Sequence, residues 1–553
     1  MLIKKIIFLV FSSSLLFAQS MDSLYNEFLS IYSYSNIGSQ YQREGNENFK
    51  CGFGISASVK SRLNEFSLEK QSKIEEILER PDLQKSLISP SGIFKIHYDT
   101  TGINTIAYDV HELALAFDSA YTYEIEVLGY PAPPKDGSNG GDNKFDVYVL
   151  ASAGGYGSTE LEDQISTNKY TSYIKIHNSF SGSFYTKGIN AARVTAAHEF
   201  HHAIQVGNYL YRDSDRFYFE LTSTSMEEFV YDDVNDYYYY MKSYFNKPNR
   251  RLTRFNTGTN DGYDVAVWNI FLKEKFGSET PNIGDQIIKR SWELMEQKDQ
   301  RAIIALQNSV SQYGYSFADL FNEFGIWLYF TGYRAKENNY FSEASFYPLV
   351  TRTVEMELDP AKMPMMISCE PTSLNYLLIK DFSHGLPDSI FAVFSNSDVN
   401  GTLTSGNNIN IDFTLATSSF FGSFAVSENY FAKMEGVNNS YIGHSYIINN
   451  ELASNYIERS VIDFVYPQPF KYDNYESICF PTYADESGNS KLYIFSSDMN
   501  LLYSKSLQIS VSGKMIVTWN GLDNNNKKLA SGVYIYVTEA NGKIKKGKFV
   551  ILN

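Results

Sequence analysis

The stretch RVTAAHEFHHAIQV, from Arg193 to Val206, restricts the fold more than any other part of this chain. It is rich in helix formers and free of Gly and Pro, so it reads as an α-helix. Val194, Ala197, Phe200, Ala203, Ile204 and Val206 put apolar groups on more than one side, which marks a buried helix. Yet it carries Glu199 and three of the chain's eight histidines. Buried imidazoles and carboxylates need partners. Either other polar side chains satisfy them, or a metal ion does.

Helical spacing separates the histidines. His198 and His202 are four apart and share a face, so their rings converge on one point. Glu199 falls beside that point. This is the H-E-x-x-H pattern, two ligands and a general base. His201 is three residues from His198, and that pair is also geometrically possible. It would leave Glu199 in the wrong relation to the second ligand, so His198 and His202 are the expected pair. A catalytic zinc takes three protein ligands and keeps one position for water. Downstream, YFELTSTSMEEFVYDDVNDYYYY offers Glu220, Glu227 and Glu228. Glu220 suits a third ligand on a second helix packed against the first. Glu227, two turns further on the same face, suits a hydrogen-bond acceptor for a ligand histidine. A solvated acidic face is the plainer account of Glu227 and Glu228, and the preferred one for Glu228.

Composition sets outer limits. The 553 residues exceed one ordinary domain, and 43% apolar residues can fill large cores. A formal charge of −16 argues against a nucleic-acid partner. MLIKKIIFLVFSSSLLFAQS begins with Lys4 and Lys5, continues apolar from Ile6 to Phe17, and offers Ala18 as a cleavage residue. Residues 1–18 therefore read as a secretory signal, too short for a transmembrane span, and the mature protein is expected to be exported. Cys51, Cys369 and Cys479 are too few for a disulfide framework, though one pair plus a free thiol is possible.

The texture changes along the chain. Residues 19–90 look helical and polar, with SLEKQSKIEEILERPDLQKSLI expected to stay helical until just before Pro90. GIFKIHYD, FDVYVL and YIKIHN read as strands, AYDVHELALAFDSAYTYEIEVLG as a helix stopped at Gly129, and KDGSNGGDNK as a loop. Helical patterns dominate from about Tyr263 to Tyr333, and strands take over beyond about residue 355. The expected domains are 19–90, a helical segment and possible prosegment; 91–355, an α+β domain; 356–464, a β-sandwich; and 465–553, a smaller sandwich. A hinge is expected at FVYPQPFKYD, with Pro467 and Pro469.

AAHEFHHAIQ followed by FELTSTSMEEFVYDDVNDY resembles the gluzincin group of zinc peptidases, and more closely a family of secreted bacterial metalloproteases. The likeness spans about residues 90–350. It implies an α+β zincin-like catalytic domain followed by all-β sandwich domains. It assigns His198, His202 and Glu220 to Zn2+ and Glu199 to the general base of peptide-bond hydrolysis, with a protein or peptide as substrate. Ser223 and Ser225 depart from the family's usual Ala and Trp. TSYIKIHNSF would form the edge strand that pairs with substrate; His177 on it reads as structural or substrate-facing. Gluzincins commonly supply an oxyanion donor after the third ligand. GYDVAVWNIFLKEKFG resembles the helix start that carries this tyrosine in zinc aminopeptidases, which names Tyr263, with the Tyr237–Tyr240 run as rivals and Ala266 in place of their Gly.

At the C-terminus, Trp519-Asn520-Gly521 and Ser531-Gly532-Val533-Tyr534 resemble the Ig-like module of flagellar hook-capping proteins. VYPQPF, with Gln468 for the usual Asn, resembles the start of sorting domains of the type nine secretion system. The resemblance implies a role in export or cell-surface attachment; a plain structural sandwich is the alternative. For the whole chain, the expectation is an exported zinc endopeptidase. The competing class is a surface-binding protein whose metallopeptidase-like domain is inactive. Cys51, in KCGFG, is either a latency thiolate on the zinc or a buried structural cysteine.

Overall fold

The computed structural model describes residues 21–32, 50–256, 258–336, 338–357, 365–368, 370–381, 388–400, 408–415, 430–435, 442–448 and, with short omissions, 465–552. The expected signal sequence, Cys369 and much of the expected 356–464 sandwich lie outside the described residues. The chain is mixed α/β, with helices and several β-sheets. It divides into two compact units: Met1–Tyr244, Arg251–Leu320 and Asn338–Ser342 form the first, and Phe245–Arg250, Phe321–Glu337 and Glu343–Asn553 the second. The described residues 21–32 and 50–90 thus belong to the same unit as the motif helix. The second unit takes in residues well before 355.

The first unit is built on a five-stranded sheet in the order β1-β2-β3-β5-β4. Its strands are β1 (Lys85–Ile88), β2 (Phe94–Tyr98), β3 (Phe145–Leu150), β4 (Gly157–Ser166) and β5 (Lys169–His177). β2, β3 and β5 run parallel, while β1 and β4 are antiparallel to their neighbours. The expected edge strand, β5, is in fact interior, and β4 is the edge. A turn at Thr167–Asn168, with Asn168 at φ 54°, folds β4 back along the outer side of β5. Asn tolerates that left-handed conformation, as hairpin turns require.

Three helices precede or flank the start of the sheet: α1 (residues 21–32), α2 (Phe53–Ser61) and α3 (Leu68–Ile77). The helix expected to reach Pro90 stops at Ile77 instead, and Lys85–Ile88 is strand β1. Pro81 disfavours helical backbone at the residue before it, so the pattern breaks there. α4 (Val110–Tyr121) continues as a wider turn over Thr122–Val127 and ends at Gly129, φ 70°.

The motif lies in α5 (Gly188–Asn208), buried almost without interruption from Ala191 to Gly207. Phe200 points to the sheet, its ring 5.3 Å from Phe94 and 6.2 Å from Phe145. Burying such a ring contributes about 2–3 kcal/mol and fixes the rotation of α5. The histidines are thereby turned elsewhere. α6 (Arg216–Val230) is buried from Phe217 to Phe229 and presents Glu220, Ser223 and Glu227 along one face. α7 (Tyr237–Asn246), α8 (Val267–Lys275), α9 (Ile283–Gln297), α10 (Ala302–Gln312) and α11 (Phe317–Tyr329) follow. Trp292 of α9 packs against Phe219 and Tyr218, with centroids 4.9 and 5.1 Å away.

The second unit is largely β. Its middle part contains the sheets β11-β10-β7 and β12-β9-β8-β6, formed by β6 (Val354–Glu357), β7 (Met365–Ser368), β8 (Ser373–Asp381), β9 (Asp388–Asn396), β10 (Asn408–Leu415), β11 (Tyr430–Glu435) and β12 (Ile442–Ile448). The C-terminal part has a five-stranded sheet, β13-β19-β18-β15-β16, and a two-stranded one, β14-β17. These are β13 (Phe470–Lys471), β14 (Ile478–Pro481), β15 (Asn489–Phe495), β16 (Leu501–Gln508), β17 (Ile516–Trp519), β18 (Gly532–Ala540) and β19 (Lys543–Leu552). Phe470, Phe480, Trp519, Tyr536 and Phe549 fill its core. The expected hinge belongs to this module: Val465 is in that core, and Phe470 pairs with Ile551.

Candidate metal centre

α5 and α6 bring the expected ligands together. His198 Nε2 and His202 Nε2 lie 3.1 Å apart, and Glu220 Oε2 is 3.3 Å from each. Donors about 2.0–2.2 Å from a tetrahedral ion stand about 3.3–3.6 Å from one another, close to this triangle. Cys51 Sγ joins them, all four atoms within 4.8 Å of one another. His201 is turned away, its Nδ1 2.7 Å from Glu124 Oε2, and takes no part.

Hydrogen bonds on the far side of each ring set its proton. His198 Nδ1 is 2.7 Å from Glu227 Oε1, and His202 Nδ1 is 2.7 Å from Gln205 Oε1. A carboxylate and an amide oxygen can only accept, so both rings carry the proton on Nδ1. Two Nε2 lone pairs and a carboxylate oxygen then face each other, which is repulsive unless a proton or a metal ion lies between them. Glu220 is fully buried, and its Oε1 makes no hydrogen bond among the described residues. Zinc, with its preference for N, O and S donors, fits this set.

The electrostatics agree. Burial alone would lower the His198 pKa, but Glu220 and Glu227 lift it to about 9. Burial alone would raise Glu220, but His202 and His198 hold it near 2. The surroundings thus favour positive charge at the rings' meeting point. Glu227 and Asp236 are both buried and share Lys50, whose ammonium is 3.0 Å from Glu227 Oε2 and also pairs with Asp236. Lys50 itself is raised: burial opposes its charge, and Asp236 and Glu227 outweigh it.

Glu199 stands beside the triangle. Thr159 Oγ1 of β4 lies 2.8 Å from both its Oε2 and its backbone oxygen, and the one hydroxyl proton is shared between them. Burial raises its pKa against the pull of His198 and His202. Gly157 lets β4 come this close: a Cβ there would lie 2.8 Å from Thr195 and 2.9 Å from Glu199 Cγ. Gly262, at φ 92°, gives Glu220 the same freedom, since a Cβ would approach its side chain to 2.9 Å.

Tyr263 opens a short helical turn before α8 and is buried. Its ring centroid is 6.1 Å from that of His198, and its hydroxyl donates to the Cys51 carbonyl at 3.5 Å. Tyr240, one of its rivals, packs 5.7 Å from it. Glu228 is buried, not solvated: α6 is enclosed on all sides. His177 lies away from the cluster, its Nδ1 accepting from the Ser179 and Phe180 amides at 3.2 and 3.1 Å.

Several contributors escaped the sequence reading. Ser223, a departure from the family pattern, places its hydroxyl 3.1 Å from His202 Nδ1. Ser225 accepts from Asn269 Nδ2 at 3.1 Å. Gln205 was legible in principle, one helical turn beyond His202 on the same face. Lys50, Asp236 and Thr159 come from distant parts of the chain and carry no local signal. The rings are also packed: Phe53 stacks on His202 at 4.0 Å.

No protein-family model matches the chain, and no curated protein sequence matches it. Two solved structures share 13% identity with it, at a TM-score of 0.14 each: PorZ, a surface component of the type-IX secretion system of Porphyromonas gingivalis, and dimeric latent PorU from the same organism. The matches cover 34% and 37% of this chain, and 38% and 19% of theirs. The chain therefore spans well under two thirds of either. No helix among the described residues is long and apolar enough to cross a membrane.

Proposed function

We propose that the chain is an exported, zinc-dependent endopeptidase with a zincin-like catalytic domain. One observation carries this: two imidazole lone pairs and a carboxylate oxygen converge at 3.1–3.3 Å in a buried site, with Glu199 alongside. Bound zinc supplies Lewis acidity toward a peptide carbonyl and toward water. Glu199, aligned by Thr159, takes a proton from water and hands it to the departing amine. Tyr263 donates a hydrogen bond through its phenol to the oxygen that gains charge. The outer edge of β4, level with Glu199, suits an extended substrate added as a further strand. The C-terminal sandwich, with its VYPQPF start, serves export or surface attachment.

The test is zinc content of the purified protein together with casein digestion by wild type and Glu199→Gln. Zinc in both and digestion by wild type alone, once active, supports the proposal. A second reading has its own support. Cys51 makes a fourth donor, and closed four-ligand sites are typically structural. On that reading the domain binds metal without hydrolysing anything, and Glu199→Gln changes no activity.

A further inference from the structure

Cys51 sits in a segment that occupies the site in several ways at once. Its Sγ lies in the buried ligand cluster, facing the same point as the two histidines and Glu220, whose Oε1 has no other partner among the described residues. The Phe53 amide donates to that sulfur at 3.3 Å. Its backbone forms a parallel bridge with Gly157 at the start of the edge strand β4. Gly52 N donates to Gly157 O at 3.0 Å, and Tyr156 N donates to Lys50 O at 2.8 Å. Residues 50–52 thus take backbone hydrogen bonds that an incoming peptide needs. The Cys51 carbonyl also accepts from Tyr263, the assigned oxyanion donor.

Anchoring on both sides keeps the segment in place. Lys50 is held by Glu227 and Asp236, and α2 buries Phe53, Ile55, Ala57 and Val59. Farther up the chain, Tyr32 of α1 is 2.8 Å from Ser158 and donates to Glu160 at 3.0 Å, both on β4. A merely structural cysteine needs burial alone. It does not need a ligand-facing sulfur, a substrate-like backbone and a claim on the catalytic tyrosine.

We propose that Cys51 is the fourth ligand of the metal and that residues 50–52 act as an internal plug, so that the full chain is latent until this segment is displaced by proteolysis. This rests on the zinc reading above and names how that site is regulated. The plug covers the water position with sulfur, the substrate edge with backbone, and the tyrosine hydroxyl with a carbonyl. One displacement frees all three.

The test uses the full chain loaded with cobalt(II) in place of zinc. A cysteine ligand gives a near-ultraviolet sulfur-to-cobalt charge-transfer band, readable without any activity. We expect the band in wild type and its loss in Cys51→Ala with cobalt still bound. Limited trypsin digestion, followed by mass spectrometry and quenched with a trypsin inhibitor, should remove the band as chelator-sensitive peptide hydrolysis appears. Cobalt bound to wild type without the band overturns Cys51 ligation and leaves the zinc reading standing. A band present together with full activity, or no activity after the segment is removed, overturns latency. Failure of both proteins to bind cobalt or zinc overturns the metal reading itself. The wild-type spectrum decides the ligand question even if Cys51→Ala does not fold.

Discussion

Glu227→Gln isolates the carboxylate that orients His198. In wild type, one oxygen is 2.7 Å from His198 Nδ1 and the other 3.0 Å from the Lys50 ammonium, with Glu227 at 1% exposure. An amide has only one accepting oxygen, so it serves one of these donors and turns N–H toward the other. Facing Lys50 with N–H is the costlier choice, and the oxygen should stay with the ammonium. His198 then shifts its proton to Nε2 and loses the lone pair it offers the metal. Outer partners of this kind are worth about 10- to 100-fold in metal affinity. That is about 1.4–2.7 kcal/mol. Competition against a chromophoric zinc chelator measures it, with thermal unfolding of the metal-free protein run in parallel. Glu228→Gln, one residue along and turned to a different face of α6, is the control. Zinc affinity within twofold of wild type, with unchanged unfolding, would refute the orienting role of Glu227.

Other expectations follow from the same geometry. His198→Ala, His202→Ala and Glu220→Ala should each lose the metal, whereas His201→Ala should keep it; elemental analysis of the purified variants decides, and full zinc in the Glu220 variant would end its claim as a ligand. In the plug-free protein, Tyr263→Phe should keep fold and metal while turnover falls about 10²- to 10³-fold, the usual cost of one oxyanion donor; near-normal kcat would move the role to Tyr240. Burial holds His177 down to about 4 from 6.5, so the folded form keeps it neutral. Its contribution is complete above pH 6.5 and disappears as pH falls through 4, a span worth on the order of 3 kcal/mol. His177→Asn should flatten the stability profile across that window, and a profile identical to wild type would contradict the assignment.

Helical period and side-chain chemistry made the motif legible. His198, Glu199 and His202 fall within five residues, so local geometry alone aligns them, and Glu220 and Glu227 share one face of the next helix. The rest depends on contacts between distant segments. Lys50 meets Asp236 across most of the first unit, and no local pattern announces such a pair. GSTELEDQIS is polar over its exposed half, so no alternation marks β4 in the sequence. Without β4, β5 reads as the sheet's edge. Helical periodicity runs on through Lys85–Ile88 because it ignores the break that Pro81 imposes. Cys51 was one thiol with two readings, and only the fold brings its sulfur to the histidines.

The C-terminal sheet is closed by its own two ends. β13 begins the module and β19 finishes it, yet β19 lies between β13 and β18 in the strand order. A ribosome that has released everything up to residue 540 has therefore made a sheet that lacks the strand joining β13 to the rest. Phe549 and Ile551, both fully buried, arrive last and complete the core. Loss of β19 would strip two strand interfaces at once, so the stability of the whole module hangs on its last strand.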